Sequence, residues 1–174
     1  LLPTDDRTKI VDFGDSHRTD DGLLEGCRGS EAYAAPEVRG KDAYDARAAD
    51  VFSLGVTLYT MLTAKQPWAV SAASDANFAR FAGLQADGAV GGATTALEES
   101  LRTSGSELGP AAISLLSSML AINPAARPSM ASVLDDAWTG GGAPMPPPPA
   151  AYRSVCDLAL EEDESPPGAA ATTV

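Results

Sequence analysis

The sequence predicts a mainly α-helical chain opened by a short β-hairpin. Two observations carry this: apolar residues recur at helical spacing in three separate stretches, and two short apolar runs at the N-terminus face each other across a Pro/Asp turn. In order, Leu1-Leu2 and Thr8-Lys9-Ile10-Val11 flank Pro3-Thr4-Asp5-Asp6-Arg7 and form the expected hairpin. The first helix is expected from Asp50, whose side chain suits an N-cap. Val51, Leu54, Leu58 and Met61 follow at helical spacing, with Phe52, Val56, Tyr59 and Leu62 on other faces. A helix apolar nearly all round is expected to be central and buried. Residues 71–107 are diluted with Ala, Gly, Ser and Thr; a helix is expected around Asp75–Ala82 with Phe78 and Phe81 inward. A further start is expected at Thr95, where Glu98 completes a capping box. Pro110 suits the first turn of the next helix, whose stripe is Ile113, Leu116 and Leu120 and whose stop is Asn123-Pro124. Ser129 caps a last short helix carrying Met130, Val133, Leu134 and Ala137.

From Gly140 the composition changes. Glycines 140–142 and the run Pro144–Pro149 cannot continue a helix, and Glu161–Glu164 form an acidic stretch ahead of Ser165-Pro166. Residues 139–174 read as a disordered tail, because such a segment buries too little apolar area to offset its ordering entropy. Pro144–Pro149 could dock a proline-binding domain or serve as a plain spacer.

The 174 residues carry 24 acidic and 12 basic side chains, a net charge of −12. An acidic balance argues against unspecific nucleic-acid binding, which needs a basic face. No apolar run approaches the roughly 18 residues that span a bilayer, so no integral membrane protein is expected. Of the apolar residues, 32 are alanines, and the larger side chains suffice for one modest core. Cys27 and Cys156 show neither metal spacing nor a disulfide framework, which points to an intracellular, cytoplasmic setting. The chain starts at Leu1 without a signal or transit segment, and the expectation is a piece of a longer chain.

Four short motifs then stand in one order. Asp12-Phe13-Gly14 follows the hairpin; next come Tyr33-Ala34-Ala35-Pro36-Glu37, Asp50-Val51-Phe52-Ser53-Leu54-Gly55, and Asn123-Pro124-Ala125-Ala126-Arg127-Pro128. Any one is weak alone, and their fixed order is specific. The chain resembles the C-terminal lobe of a eukaryotic-type protein kinase, entered part-way through, over residues 1–138. The resemblance implies a partial α+β protein kinase-like fold: a helical C-lobe with an activation segment.

It also implies roles. Asp12 resembles the aspartate that holds magnesium against the nucleotide phosphates, Phe13 the packing switch, and Gly14 the sharp backbone turn. Residues 15–34 resemble the activation loop, anchored at its far end by Ala35-Pro36-Glu37, with Glu37 expected to pair with Arg127. Asp50 resembles the residue that accepts backbone N–H bonds from the catalytic loop, and Gly55 lies in the same motif. Gly29-Ser30 with Tyr33 is similar to the serine/threonine-kinase pattern, in which Ser30 would meet the catalytic aspartate and lysine at the substrate site. Gly55–Tyr59 and Tyr33–Val38 lean toward the calcium/calmodulin-dependent and AMP-activated group. ATP and Mg2+ are implied for the full-length protein, with protein substrates and the N-lobe as partners.

No His-Arg-Asp, strand lysine or glycine-rich nucleotide loop occurs in the 174 residues, so no general base is present and the chain by itself is expected to be inactive. It is also expected to expose apolar surface where an upstream helix would cover residues 51–63. Asp15 replaces a small or apolar residue, and the usual phosphorylatable threonine falls at Gly26. These departures motivate a competing reading, a pseudokinase or kinase-like scaffold. His17 and Cys27 read as ordinary loop residues.

Overall fold

The computed structural model describes residues 11–17, 22–86 and 92–140. The expected hairpin (apart from Val11), the proline run and the acidic stretch lie outside these residues. The only sheet among the described residues pairs β1 (Leu23–Leu24) antiparallel with β2 (Tyr44–Asp45), Leu24 opposite Tyr44. It joins the start of one loop to the residues just ahead of the first helix.

That helix, α1 (Ala46–Thr63), begins one turn earlier than expected. Its N-cap is Asp45, not Asp50. The Asp45 carboxylate accepts the N–H groups of Arg47 at 2.9 Å and Ala48 at 3.2 Å, while Ala46 donates its own N–H to the Gly22 carbonyl. Ala46-Arg47-Ala48-Ala49 are good helix formers and carry the extra turn. The helix buries Val51, Phe52, Gly55, Val56, Tyr59 and Leu62, whereas Leu54 and Met61 are 40% and 49% exposed. The expectation of burial all round therefore holds for one side only.

Four more helices follow. α2 (Ala76–Ala86) turns Phe78 and Phe81 inward as expected, and Asp75 ahead of it accepts the N–H groups of Asn77 and Phe78. α3 (Gly92–Ser104) places Thr95 inside the helix, so the expected capping box is not its start. Gly92 lies so close to α2 that a Cβ there would sit 2.7 Å from the Leu84 carbonyl oxygen. α4 (Pro110–Met119) has Pro110 at its first turn and buries Leu115, Leu116 and Met119. α5 (Met130–Leu134) is capped by Ser129, whose hydroxyl accepts the Ser132 N–H at 3.1 Å; it ends before Ala137. Of these, α4 packs on α1, and α3 lies between α2 and α4.

The main core runs from Phe52, Val56 and Tyr59 on α1 through Trp68 to Phe78 and Phe81 on α2, Leu97 and Leu101 on α3, and Leu116 and Leu120. Trp68 is its aromatic centre, with ring centroids 5.9 Å from Phe52, 5.1 Å from Phe78 and 5.0 Å from Phe81. A smaller cluster joins Val51, Leu115, Met119 and Val133. Gly55 lets α1 approach α4: a Cβ there would be 3.0 Å from Leu120 and 3.1 Å from Met119. No described helix is long and apolar enough to cross a membrane.

Candidate functional site

The Asp12-Phe13-Gly14 turn is exposed throughout. Asp12, not Gly14, takes the left-handed backbone conformation, with φ of 61°. Its carboxylate accepts the Gly14 N–H at 3.3 Å, and Ser16 closes the turn onto the Phe13 carbonyl. The sharp turn foreseen for Gly14 is thus made by Asp12, whose short polar side chain tolerates this conformation. Phe13 is 66% exposed and belongs to neither apolar cluster, so the expected packing is not formed among the described residues.

Residues 22–35 run across the face of α1. Gly29, with φ of 78°, turns the chain so that Ser30 can accept the N–H groups of Tyr33 and Ala34 on its carbonyl, at 3.0 and 3.1 Å. Residues 25–31 are exposed, Cys27 and the Gly26 that stands in the threonine position among them. Ala34 and Ala35 are buried, and Pro36–Arg39 form one 3-10 turn with Pro36 at its start and Val38 buried.

Glu37 on that turn meets Arg127 from 90 residues away. Arg127 Nη1 and Nη2 donate to the two Glu37 carboxylate oxygens at 2.5 and 2.9 Å, a bidentate pair. The remaining donors go to carbonyls: Nε to Ala121 at 2.8 Å, Nη1 to Ala48 at 3.0 Å, Nη2 to Ile122 at 3.3 Å. All five guanidinium N–H groups are therefore satisfied, as burial demands. The Arg127 side chain is 0% exposed and that of Glu37 18%. The guanidinium also lies 4.8 Å over the Phe52 ring. One side chain thus ties together the Pro36–Arg39 turn, the start of α1 and the segment after α4.

Asp50 stands on the second turn of α1, and its carboxylate has no hydrogen-bond partner among the described residues. Partial burial pushes its carboxyl above the usual range. It lines a cavity of about 210 Å3 together with Asp15, Arg28, Gly29, Ala34 and Ser53. The structure therefore gathers Gly29, Ala34 and Asp50 around one hollow, sets the Glu37–Arg127 pair beneath the same segment, and uses Gly55 to pack α1 on α4.

A protein kinase domain family matches residues 1–139 of this chain. The chain belongs to the protein kinase family. Among curated relatives, the kinase is 34% identical over 142 residues to the serine/threonine-protein kinase grp of Drosophila melanogaster, covering 79% of this chain and 25% of that protein. It is 43% identical over 83 residues to CBL-interacting serine/threonine-protein kinase 17 of Arabidopsis thaliana, covering 45% of this chain and 18% of that protein. It is 41% identical over 76 residues to serine/threonine-protein kinase kin-29 of Caenorhabditis briggsae, covering 43% and 9%. The chain spans a quarter or less of the length of these relatives, and all three are named as serine/threonine kinases.

Membership implies ATP and Mg2+ for the full-length enzyme. A magnesium ion asks for near-octahedral oxygen ligands. Among the described residues no three His, Cys, Asp or Glu side chains come together to hold a metal, and Asp12 is engaged with its own turn. Asp12 could supply one such oxygen from among the described residues. Sequence spacing did not reveal Ser53, Trp68 and Ser71, which hold the Ala32–Ala34 backbone, because their partners are carbonyls and carbonyls leave no mark on side-chain pattern.

Proposed function

We propose that these residues form the substrate-side part of a serine/threonine protein kinase, with residues 1–138 as its partial kinase domain and 139–174 as a tail. The observation that carries the reading is the Glu37–Arg127 pair, which fastens the end of residues 22–35 to the helical body while leaving Gly29, Ser30 and Glu31 exposed. A buried bidentate pair is a directional anchor, so the exposed segment has a defined place from which to meet a protein hydroxyl substrate. Asp12 is the residue proposed to face magnesium in the full-length enzyme, and Ser30 the one to face the reacting centre. In that enzyme the ATP γ-phosphate would pass to Ser or Thr, a reaction driven by positioning and charge stabilisation. The 174 residues alone contain no His-Arg-Asp and are proposed to be inactive.

The test is phosphoamino-acid analysis of protein substrates after incubation with labelled ATP. The full-length protein should yield phosphoserine or phosphothreonine and no phosphotyrosine, and the 174-residue chain should yield none. Phosphotyrosine alone, or transfer by the 174 residues, would overturn the reading. A pseudokinase scaffold is the second reading, favoured by Asp15 beside the magnesium position and by Gly26, which offers no hydroxyl for activating phosphorylation. Absence of any phosphotransfer by the full-length protein would select it.

A further inference from the structure

Three consecutive carbonyls in the irregular segment after Ser30 each accept a hydrogen bond from a side chain of the helical body. Trp68 Nε1 donates to Ala32 at 3.1 Å, Ser53 Oγ to Tyr33 at 3.0 Å, and Ser71 Oγ to Ala34 at 2.5 Å. The N–H groups of Tyr33 and Ala34 turn back to the Ser30 carbonyl. The main chain of 30–34 is thus hydrogen-bonded on its protein-facing side, while the side chains of 28–31 are exposed and Ser30 Oγ has no partner among the described residues. We propose that Ser53, Trp68 and Ser71 are positioning residues for the protein substrate, fixing the Ala32–Ala34 backbone so that Gly29–Glu31 are held where a substrate segment docks. This rests on the kinase reading above.

The donors are themselves held in place. Trp68 and Ser71 are each 2% exposed, and the Trp68 ring is locked among Phe52, Phe78 and Phe81. The loop between them is stapled to α2 by Asp75: one carboxylate oxygen accepts the Ala69 and Val70 N–H groups while the other accepts Asn77 and Phe78. Ser53 sits on α1, where its single hydroxyl proton is shared between the Tyr33 carbonyl at 3.0 Å and the Ala49 carbonyl at 3.1 Å. Three rigid donors from two elements converge on one short stretch of backbone. These carbonyls are fixed by side chains with almost no freedom to move.

Trp68→Phe removes the indole N–H together with part of the buried ring, whereas Ser71→Ala removes only a hydroxyl and is the cleaner probe. Ser117→Ala is the matched control, because its buried hydroxyl is spent inside α4 on the Ile113 carbonyl. Steady-state phosphorylation of a serine peptide by the full-length protein is the readout. Trp68→Phe and Ser71→Ala should each raise the peptide KM about three- to tenfold, with kcat and the ATP KM within about twofold of wild type, and Ser117→Ala should leave all three unchanged. If Trp68→Phe does not fold, Ser71→Ala decides. Unchanged peptide KM in the folded variants, or a parallel fall in kcat with the ATP KM altered, would overturn the proposal while leaving the kinase reading intact. A wild-type protein that phosphorylates no peptide would overturn both.

Discussion

Breaking the Glu37–Arg127 pair should cost more stability than any other single polar substitution in the described fold. In Arg127→Ala five hydrogen bonds from a charged donor disappear at once, two of them to the Glu37 carboxylate, and Glu37, only 18% exposed, is left without its counter-ion. Removing one partner of a buried pair costs about 3–5 kcal/mol. The three stranded carbonyls, Ala48, Ala121 and Ile122, add on the order of 1 kcal/mol, because water can reach part of the opened space. Domains hold only about 5–15 kcal/mol in total, so Arg127→Ala sits near the edge of folding. Glu37→Gln is the gentler probe: it keeps one acceptor oxygen and the volume, and should cost about 2–3 kcal/mol. Urea unfolding followed by the fluorescence of the buried Trp68 measures both. Adding Glu37→Gln to Arg127→Ala should cost little more than Arg127→Ala alone, giving a coupling of about 2 kcal/mol. A cost below about 1 kcal/mol for Glu37→Gln, or simple additivity in the double variant, would refute the anchoring role drawn from the geometry.

Three other perturbations report on separate elements. Gly92→Ala should destabilise by about 1–3 kcal/mol in spite of alanine's better helix propensity, since the new methyl would meet the Leu84 carbonyl at 2.7 Å; a raised urea midpoint would contradict that contact. At Asp75, burial raises the carboxyl pKa, but hydrogen bonds from the Phe78, Ala69, Asn77 and Val70 N–H groups outweigh it and hold the carboxyl below its ordinary 3.8. Its contribution is therefore present above that value and lost as pH falls through the lower folded one, so the melting-temperature gap between wild type and Asp75→Asn should be widest at neutral pH and close under acid. Asp50 has the opposite sign: burial raises its carboxyl, ionised Asp50 opposes folding, and Asp50→Asn should raise the melting temperature at neutral pH with the gain vanishing once the carboxyl is protonated in both states.

What could be read ahead of the structure was mostly local. Phe78 and Phe81 sit three apart and face one way on any helix, Pro110 and Ser129 mark their helix starts by chemistry that needs no neighbour, and all four stand where expected. The misplaced starts came from equivalent local choices. Asp45 and Asp50 are equally good caps by side chain, and the Gly22 carbonyl, which accepts the Ala46 N–H, favours the earlier one. Thr95 with Glu98 has the form of a capping box, yet α3 already begins at Gly92, where the missing side chain permits contact with α2. The same division runs through the site. The Glu37–Arg127 pair was legible through ordered motifs, but the five-bond setting of Arg127 and the three donors to Ala32–Ala34 were not, because long-range bonds to backbone carbonyls have no sequence signature. The exposed Leu54 and Met61 show the limit of periodicity: it tells which residues are apolar, not which side of a helix another element covers.

The central claim is that these residues belong to a working serine/threonine phosphotransferase in which Asp12 serves the magnesium nucleotide. Transfer of labelled γ-phosphate to a serine peptide by the full-length protein, compared with its Asp12→Asn variant, tests it most directly. The account predicts magnesium-dependent transfer by the wild type and a loss of at least about a hundredfold in the variant, because an amide gives up the charge that a hard cation needs. Undiminished transfer by Asp12→Asn, or no transfer by the wild type, would contradict it.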